Sequence, residues 1–174
     1  MSDQNGMKGF TLNTTVVNAI MQSVEHCFSM CNLKIQVMGL SKTPISLPQA
    51  SITGIIGMNG KCTGFLTLSL PERVANLAVS GMLQDEFTKV NNQVLDGIGE
   101  MTNIICGGIK TRLYNTAWMI DSITIPSVII GENYNIAHAK GIEFSSVMFE
   151  VDDPDSMMTQ DRIFMVTTSL MQLS

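Results

Sequence analysis

The sequence predicts an α+β domain, on three observations. Apolar residues recur at helical spacing in three segments, β-rich runs pair as hairpins, and the order of a helix followed by three strands occurs twice. Hairpins make a sheet mainly antiparallel, and helices covering it give a two-layer architecture. The expected fold is a six-stranded sheet with three helices and a pseudo-duplicated topology. Identity between the halves is negligible, so the duplication rests on element order. At 174 residues the chain fits one domain. Residues 1–10 read as a flexible leader and 11–174 as a single domain.

From Leu12 to Cys31 the apolar positions Val17, Ile20, Met21, Val24, Cys27, Phe28 and Cys31 trace a helix, with Asn13 or Thr14 as its N-cap. A short strand over Lys34–Met38 follows, then an extended loop through Pro44 and Pro48. Ser51–Met58 and Cys62–Ser69 flank Asn59-Gly60, a pair that tolerates positive φ and predicts a tight hairpin turn. Pro71 and Glu72 open a second helix as first-turn residues and carry it to Leu83. A third, long helix runs from Lys89 to Leu113. Ile120–Ile130, Ile142–Val151 and Ile163–Met171 are the remaining β runs, the last two alternating as half-buried strands do. Gly131–Gly141 reads as an exposed loop, and Asp152–Asp161 as a hairpin connection.

Composition excludes several classes of function. With 45% hydrophobic and 14% charged residues, the chain is no disordered polyanion. A net charge of −5 and ten scattered Lys and Arg residues exclude a nucleic-acid backbone as partner. No run of about 20 apolar residues spans a bilayer. Asp121 and Pro126 interrupt one candidate, and prolines and glycines punctuate the other. The N-terminus has no secretion signal, so a cytoplasmic location is expected. Cys27, Cys31, Cys62 and Cys106 form no CxxC pair. His26 projects away from Cys27, and the cysteines read as reduced core thiols rather than zinc ligands, even with His138 considered. The fourteen methionines fall within apolar stripes and read as core.

The long helix carries the chemistry. At about 100° per residue, Val94, Ile98, Met101, Ile105 and Ile109 share one sector and must face the sheet. Asp96, Glu100, Asn103, Gly107 and Lys110 lie opposite, held outward on a rigid support. Gly99, Gly107 and Gly108 each weaken the helix by up to ~1 kcal/mol relative to Ala, which is expected where another protein approaches closely. Asn103 is a mediocre helix former placed mid-helix. Three residues from Glu100, it sets an amide beside a carboxylate. An E-x-x-N spacing alone also suits an ordinary solvated face.

The spacing continues beyond the helix. Asp96, Glu100 and Asn103 are followed, after twenty-two intervening residues, by Pro126. This pattern resembles the signature of the CheX/CheC/FliY chemotaxis phosphatases: Asp or Ser, three residues, Glu, two residues, Asn, about twenty-two residues, Pro. Val94–Lys110, Ser51–Glu72 and Ile130–Glu132 also look like CheX sequences, and the likeness runs from Leu12 to Met171. The resemblance implies a phosphatase for phosphorylated CheY-like response regulators. The residue matching Asn103 would orient the attacking water, and that matching Glu100 would pair with the regulator's lysine. Mg²⁺ is expected in the bound regulator, with no cofactor or metal of the chain's own. Asp96, Gly99, Gly107 and Lys110 would contact the partner, and Pro126 would shape a strand edge beneath the helix. CheC-like members carry two E-x-x-N sites. The first helix here has none, which makes the chain CheX-like and a homodimer the expectation.

Two rival readings remain at this stage. A non-catalytic module of the flagellar-switch kind would bind a regulator without hydrolysing anything. A small-molecule hydrolase would need a nucleophile–base pair or a metal site, and His26 and His138 have no evident partners.

Overall fold

The computed structural model describes residues 12–43, 45, 47, 50–131, 136 and 140–173. The expected leader, His138 and most of the expected Gly131–Gly141 loop lie outside these. Three helices, α1 (Thr14–Met30), α2 (Glu72–Leu83) and α3 (Asn92–Arg112), accompany seven strands. These are β1 (Ile35–Ser41), β2 (Ile52–Gly60), β3 (Cys62–Leu70), β4 (Ile120–Ile123), β5 (Ser127–Ile130), β6 (Glu143–Val151) and β7 (Ile163–Gln172). Every pairing is antiparallel. Among the described helices none is long and apolar enough to cross a membrane.

The sheet order is β1-β6-β7-β3-β2-β4, with β5 also on β2. It reads the same from either end if β1 is matched with β4 and β5, β2 with β6, and β3 with β7. The duplication expected from element order is therefore present as a pseudo-two-fold between β3 and β7. Each half lends its first strand to the other half's hairpin, and α1 packs on α3.

The helix ends follow local chemistry. Asn13, rather than Thr14, caps α1 through its side chain to the Val16 N–H, and Asn91 caps α3 through the Val94 N–H at 2.9 Å. Such caps contribute about 1 kcal/mol each, and the second starts α3 three residues later than Lys89. Pro71 is the cap of α2, in extended conformation, and not its first-turn residue. Buried side chains from all three helices form one core with the helix-facing side of the sheet. At its centre Phe28 stacks on Phe164 and Phe164 on Phe149, with ring centroids 4.4 and 5.1 Å apart.

Three expectations about strands and methionines are corrected. The run Ile120–Ile130 is two strands, because the chain breaks at Thr124–Pro126. Pro126 cannot donate to a ladder, and the Gly57 N–H turns to the Thr124 hydroxyl at 2.9 Å instead of a backbone carbonyl. At the β2–β3 hairpin, pairing continues to Asn59 with Thr63, and neither Asn59 nor Gly60 has positive φ. Gly60 is there because β4 crosses close by: a Cβ would lie 2.5 Å from the Met119 carbonyl oxygen and 2.7 Å from the Asp121 nitrogen. Finally, not all methionines are core. Met58 and Met101 are buried, whereas Met30, Met38, Met157 and Met158 are exposed.

Candidate functional site

The expected inner face of α3 is realised in full: Val94, Ile98, Met101, Ile105 and Ile109 are all buried. At roughly 1.5–3 kcal/mol per buried apolar side chain, this face clamps the helix onto β2 and the β4–β5 edge. Thr102 completes the seat, its hydroxyl donating to the Ile98 carbonyl at 2.7 Å. Gly54 of β2 is shaped to it, since a Cβ there would fall 2.0 Å from the Thr102 oxygen. The opposite face is thereby fixed in orientation.

On that face Asp96 and Glu100 are exposed, while Asn103, Gly107 and Lys110 are half-buried. Glu100 and Asn103, three apart on a regular helix, have Cβ atoms about 5–6 Å apart. Neither forms an ion pair or side-chain hydrogen bond with another described residue. A carboxylate and an amide stand side by side with no side-chain partner among the described residues. Lys110 closes the row two turns on.

The glycines divide by role. Gly107 has nothing within 4 Å of where its Cβ would be, so the surface beside Asn103 is open. Gly99, expected to contact a partner, is buried instead: its Cβ position faces the Pro126 Cγ and the Val128 Cγ2, each 3.9 Å away. Gly108 likewise serves the fold, because a Cβ would meet the Ser23 Oγ of α1 at 2.8 Å. The two helices cross there. Gly97 plays the same part against Val79 of α2. Pro126 thus lies against α3 one residue before Glu100, bringing the distant end of the motif beside its helical part.

The sequence reading passed over the two residues before Pro126. Thr124 is anchored by two hydrogen bonds to Gly57, and Ile125 projects into solvent, 88% exposed. The available signal was the proline itself, which interrupts an otherwise strand-like run.

The cysteines do not compete for the role. All four are free and buried. Cys62 donates to the Trp118 carbonyl. Cys27 is pushed up from the ordinary thiol value, first by hydrogen bonding with the Cys31 side chain, with burial and the Glu100 charge adding to it. Burial pushes Cys106 up to about 12. These shifts keep Cys27 and Cys106 protonated, and a protonated thiol is neither a metal ligand nor a nucleophile; Cys31, lowered by the same hydrogen bond with Cys27, is buried in the core beside it. Among the described residues no His, Cys, Asp and Glu cluster could hold a metal ion. His26 is exposed on α1, away from any base or nucleophile partner in the described hydrogen bonds.

Comparison with known proteins adds to the geometry. Among curated protein sequences none matches this chain. Solved structures do. A CheC-like superfamily protein from Shewanella sp. PV-4 is 21% identical with a TM-score of 0.75, over 91% of this chain and 99% of that one. The chemotaxis protein CheX from Vibrio vulnificus is 22% identical with a TM-score of 0.74, over 89% and 98%. A chain of the CheX–CheY–BeF3–Mg²⁺ complex from Borrelia burgdorferi is 21% identical with a TM-score of 0.70, over 94% and 100%. At these identities the likeness establishes the fold. The family itself is established by sequence: the profile described as "Chemotaxis phosphatase CheX" matches residues 52–150, more than half of the chain and the whole stretch from β2 through the Glu100–Asn103 face and Pro126 into β6, so the chain belongs to the CheX family of chemotaxis phosphatases.

Proposed function

We propose that this protein accelerates hydrolysis of the aspartyl phosphate on a CheY-like response regulator, with Asn103 orienting the attacking water and Glu100 engaging the regulator's lysine. The observation that carries the reading is the unencumbered carboxylate–amide pair on a helix face held rigid by the sheet behind it. The Borrelia complex supports the choice of partner, since there a protein of this fold is found with CheY, BeF3 and Mg²⁺. The regulator supplies the phosphoryl group, the leaving carboxylate and the Mg²⁺. This chain supplies one positioned water.

In the reaction the water oxygen forms a bond to phosphorus as the bond from phosphorus to the aspartyl oxygen breaks. The aspartate leaves as carboxylate, and the water's protons pass to phosphate and solvent. Phosphoryl transfer of this kind depends on positioning and electrostatics, and a held water turns an encounter into near-attack geometry. An amide suits the place because its carbonyl oxygen orients a water without setting negative charge beside the phosphoryl oxygens. Glu100, meeting a lysine, fixes the register of the two proteins. Asp96, Gly107 and Lys110 border the contact and take part in docking.

The reading includes a cytoplasmic homodimer. β1 is an edge strand with exposed Val37, Met38 and Leu40 and no charged residue between Lys34 and Lys42, the kind of edge that proteins otherwise protect. Sedimentation velocity of the purified chain tests this; a monomer at all concentrations would remove it.

The decisive experiment follows decay of the labelled phosphate on each CheY-like regulator of the source organism, with and without the protein. Acceleration of at least one regulator is expected. Unchanged decay for all of them, with binding retained, would leave a non-catalytic regulator-binding module.

A further inference from the structure

We infer that Ile125 is an apolar anchor for the regulator, a docking residue that sets affinity and takes no part in the chemistry. The inference deepens the functional reading above and rests on it. It begins from the break in the β4–β5 edge. A strand could have run unbroken along β2 there, as the apolar run Ile120–Ile130 leads one to expect. Instead the chain leaves the ladder for Thr124–Pro126, and each flank of that departure is tied down. The Thr124 N–H donates to the Gly57 carbonyl at 3.0 Å, and the Gly57 N–H donates back to the Thr124 hydroxyl at 2.9 Å. Gly57 is matched to this seat, since a Cβ would lie 2.9 Å from the Thr124 methyl. On the other flank, Pro126 rests against α3 at Gly99.

Ile125 stands between these two anchors, 88% exposed. A lone exposed aliphatic residue is commonplace on a protein surface. This one differs in being held out between two fixed flanks, on a segment whose Pro126 meets α3 one residue before Glu100. The segment meets α3 at Gly99, and the residues of α3 on either side of that point, Asp96 and Glu100, are charged and exposed. An exposed apolar residue on a segment that meets a helix bearing exposed carboxylates has the composition of a small interface centre with a polar rim. The complementary surface is an apolar depression next to a lysine, on the same regulator whose lysine Glu100 meets. Because the Thr124–Pro126 break meets α3 at Gly99, about one turn before Asn103, the contact fixes how the helix is seated without reaching the phosphorus.

The test uses the full-length protein and the labelled regulators, measuring decay rate against regulator concentration for wild type, Ile125→Ser, Ile125→Leu and Asn103→Ala. Ile125→Ser is expected to raise the half-saturating regulator concentration about tenfold, leaving the saturated rate within about twofold of wild type. Ile125→Leu should restore half-saturation to within about threefold. Thermal unfolding followed by the single Trp118 should give one midpoint for wild type and both Ile125 variants, as a solvent-exposed side chain holds no core together. If wild type accelerates decay, Asn103→Ala does not, and Ile125→Ser has wild-type half-saturation, then Ile125 is no anchor and the functional reading survives. A saturated rate that falls with Ile125→Ser while half-saturation holds would also overturn the inference. If wild type accelerates no regulator, the functional reading fails and takes this one with it.

Discussion

Aligned on their capping asparagines, Asn13 and Asn91, α1 and α3 are nearly the same helix. Both bury the third residue after the cap, Val16 and Val94, and then Ala19 with Gly97, Ile20 with Ile98, Ser23 with Met101, Cys27 with Ile105 and Phe28 with Cys106. Both expose the next positions outward: Asn18 with Asp96 and Gln22 with Glu100. The sheet's pseudo-two-fold makes them equivalent supports. They are not equivalent sites. Where α3 has Asn103, α1 has the carboxylate of Glu25. Where α3 has the open Glu100, α1 has Gln22, whose Oε1 already accepts from the Arg112 Nε at 3.1 Å. A rigid ridge is common to both helices and does not distinguish them. What differs is the two outward side chains and whether a neighbour has engaged them.

The largest expected effect separates the two ridges directly. Asn103→Ala should lower the accelerated dephosphorylation rate about 100-fold or more, the scale of losing a transition-state positioning group. Glu25→Ala, at the matching place on α1, should leave the rate unchanged. Labelled-phosphate decay reads both, and equal losses would mean that α1 shares the site.

Next comes the contact between the helices. Gly108→Val drives a branched side chain into Ser23 and should cost about 1–3 kcal/mol of stability by overpacking. Its counterpart on α1 is Met30, which is exposed. Met30→Ala should stay within about 0.5 kcal/mol of wild type in denaturant unfolding. If the two variants lose stability alike, the helices do not cross where Gly108 and Ser23 place them.

Glu100→Ala should raise the regulator concentration needed for half-maximal decay by about tenfold, the scale of a lost charge-assisted contact of roughly 1.4 kcal/mol. Gln22→Ala should not move it. A Glu100→Ala protein with unaltered affinity and rate would remove the lysine contact from the proposal.

The smallest effect comes where the two-fold is broken. β2–β3 turns tightly at Lys61, but β6–β7 is joined by a longer segment that α2 ties down, the Arg73 guanidinium meeting the Asp153 carboxylate. Arg73 holds that carboxyl below its usual range, and Asp153 is buried while Arg73 is partly in solvent. A depressed folded value means that the stabilisation is complete above the unfolded Asp value of about 3.9. It is lost as pH falls through the lower folded value. Arg73→Ala should cost about 1 kcal/mol at neutral pH, and the difference from wild type should shrink in unfolding measured below pH ~4. A difference constant with pH would assign the loss to packing.

The comparison also shows what was legible before folding. The inner face of α3 could be read because five apolar residues at helical period leave only one side that can meet the sheet. Glu100 and Asn103 were adjacent by the same geometry, whatever the rest of the chain did. Gly99 and Gly108 were misread as openings for a partner because their uses are non-local: the β4–β5 edge is packed on one and α1 on the other. Asn59-Gly60 looked like a turn for the same reason, since the backbone that Gly60 admits belongs to β4, some sixty residues away in the chain.

By itself, then, the sequence determined the three helices and most of the strands, the side of α3 that faces outward and the E-x-x-N pair upon it. All of these are consequences of period and of neighbours within a turn. Only the tertiary structure decided the strand order, the close crossing of α1 and α3, the break that holds Ile125 out, and the meeting of Pro126 with Gly99. Those depend on contacts between residues far apart in the chain, and no local propensity encodes which distant backbone will arrive beside a given glycine.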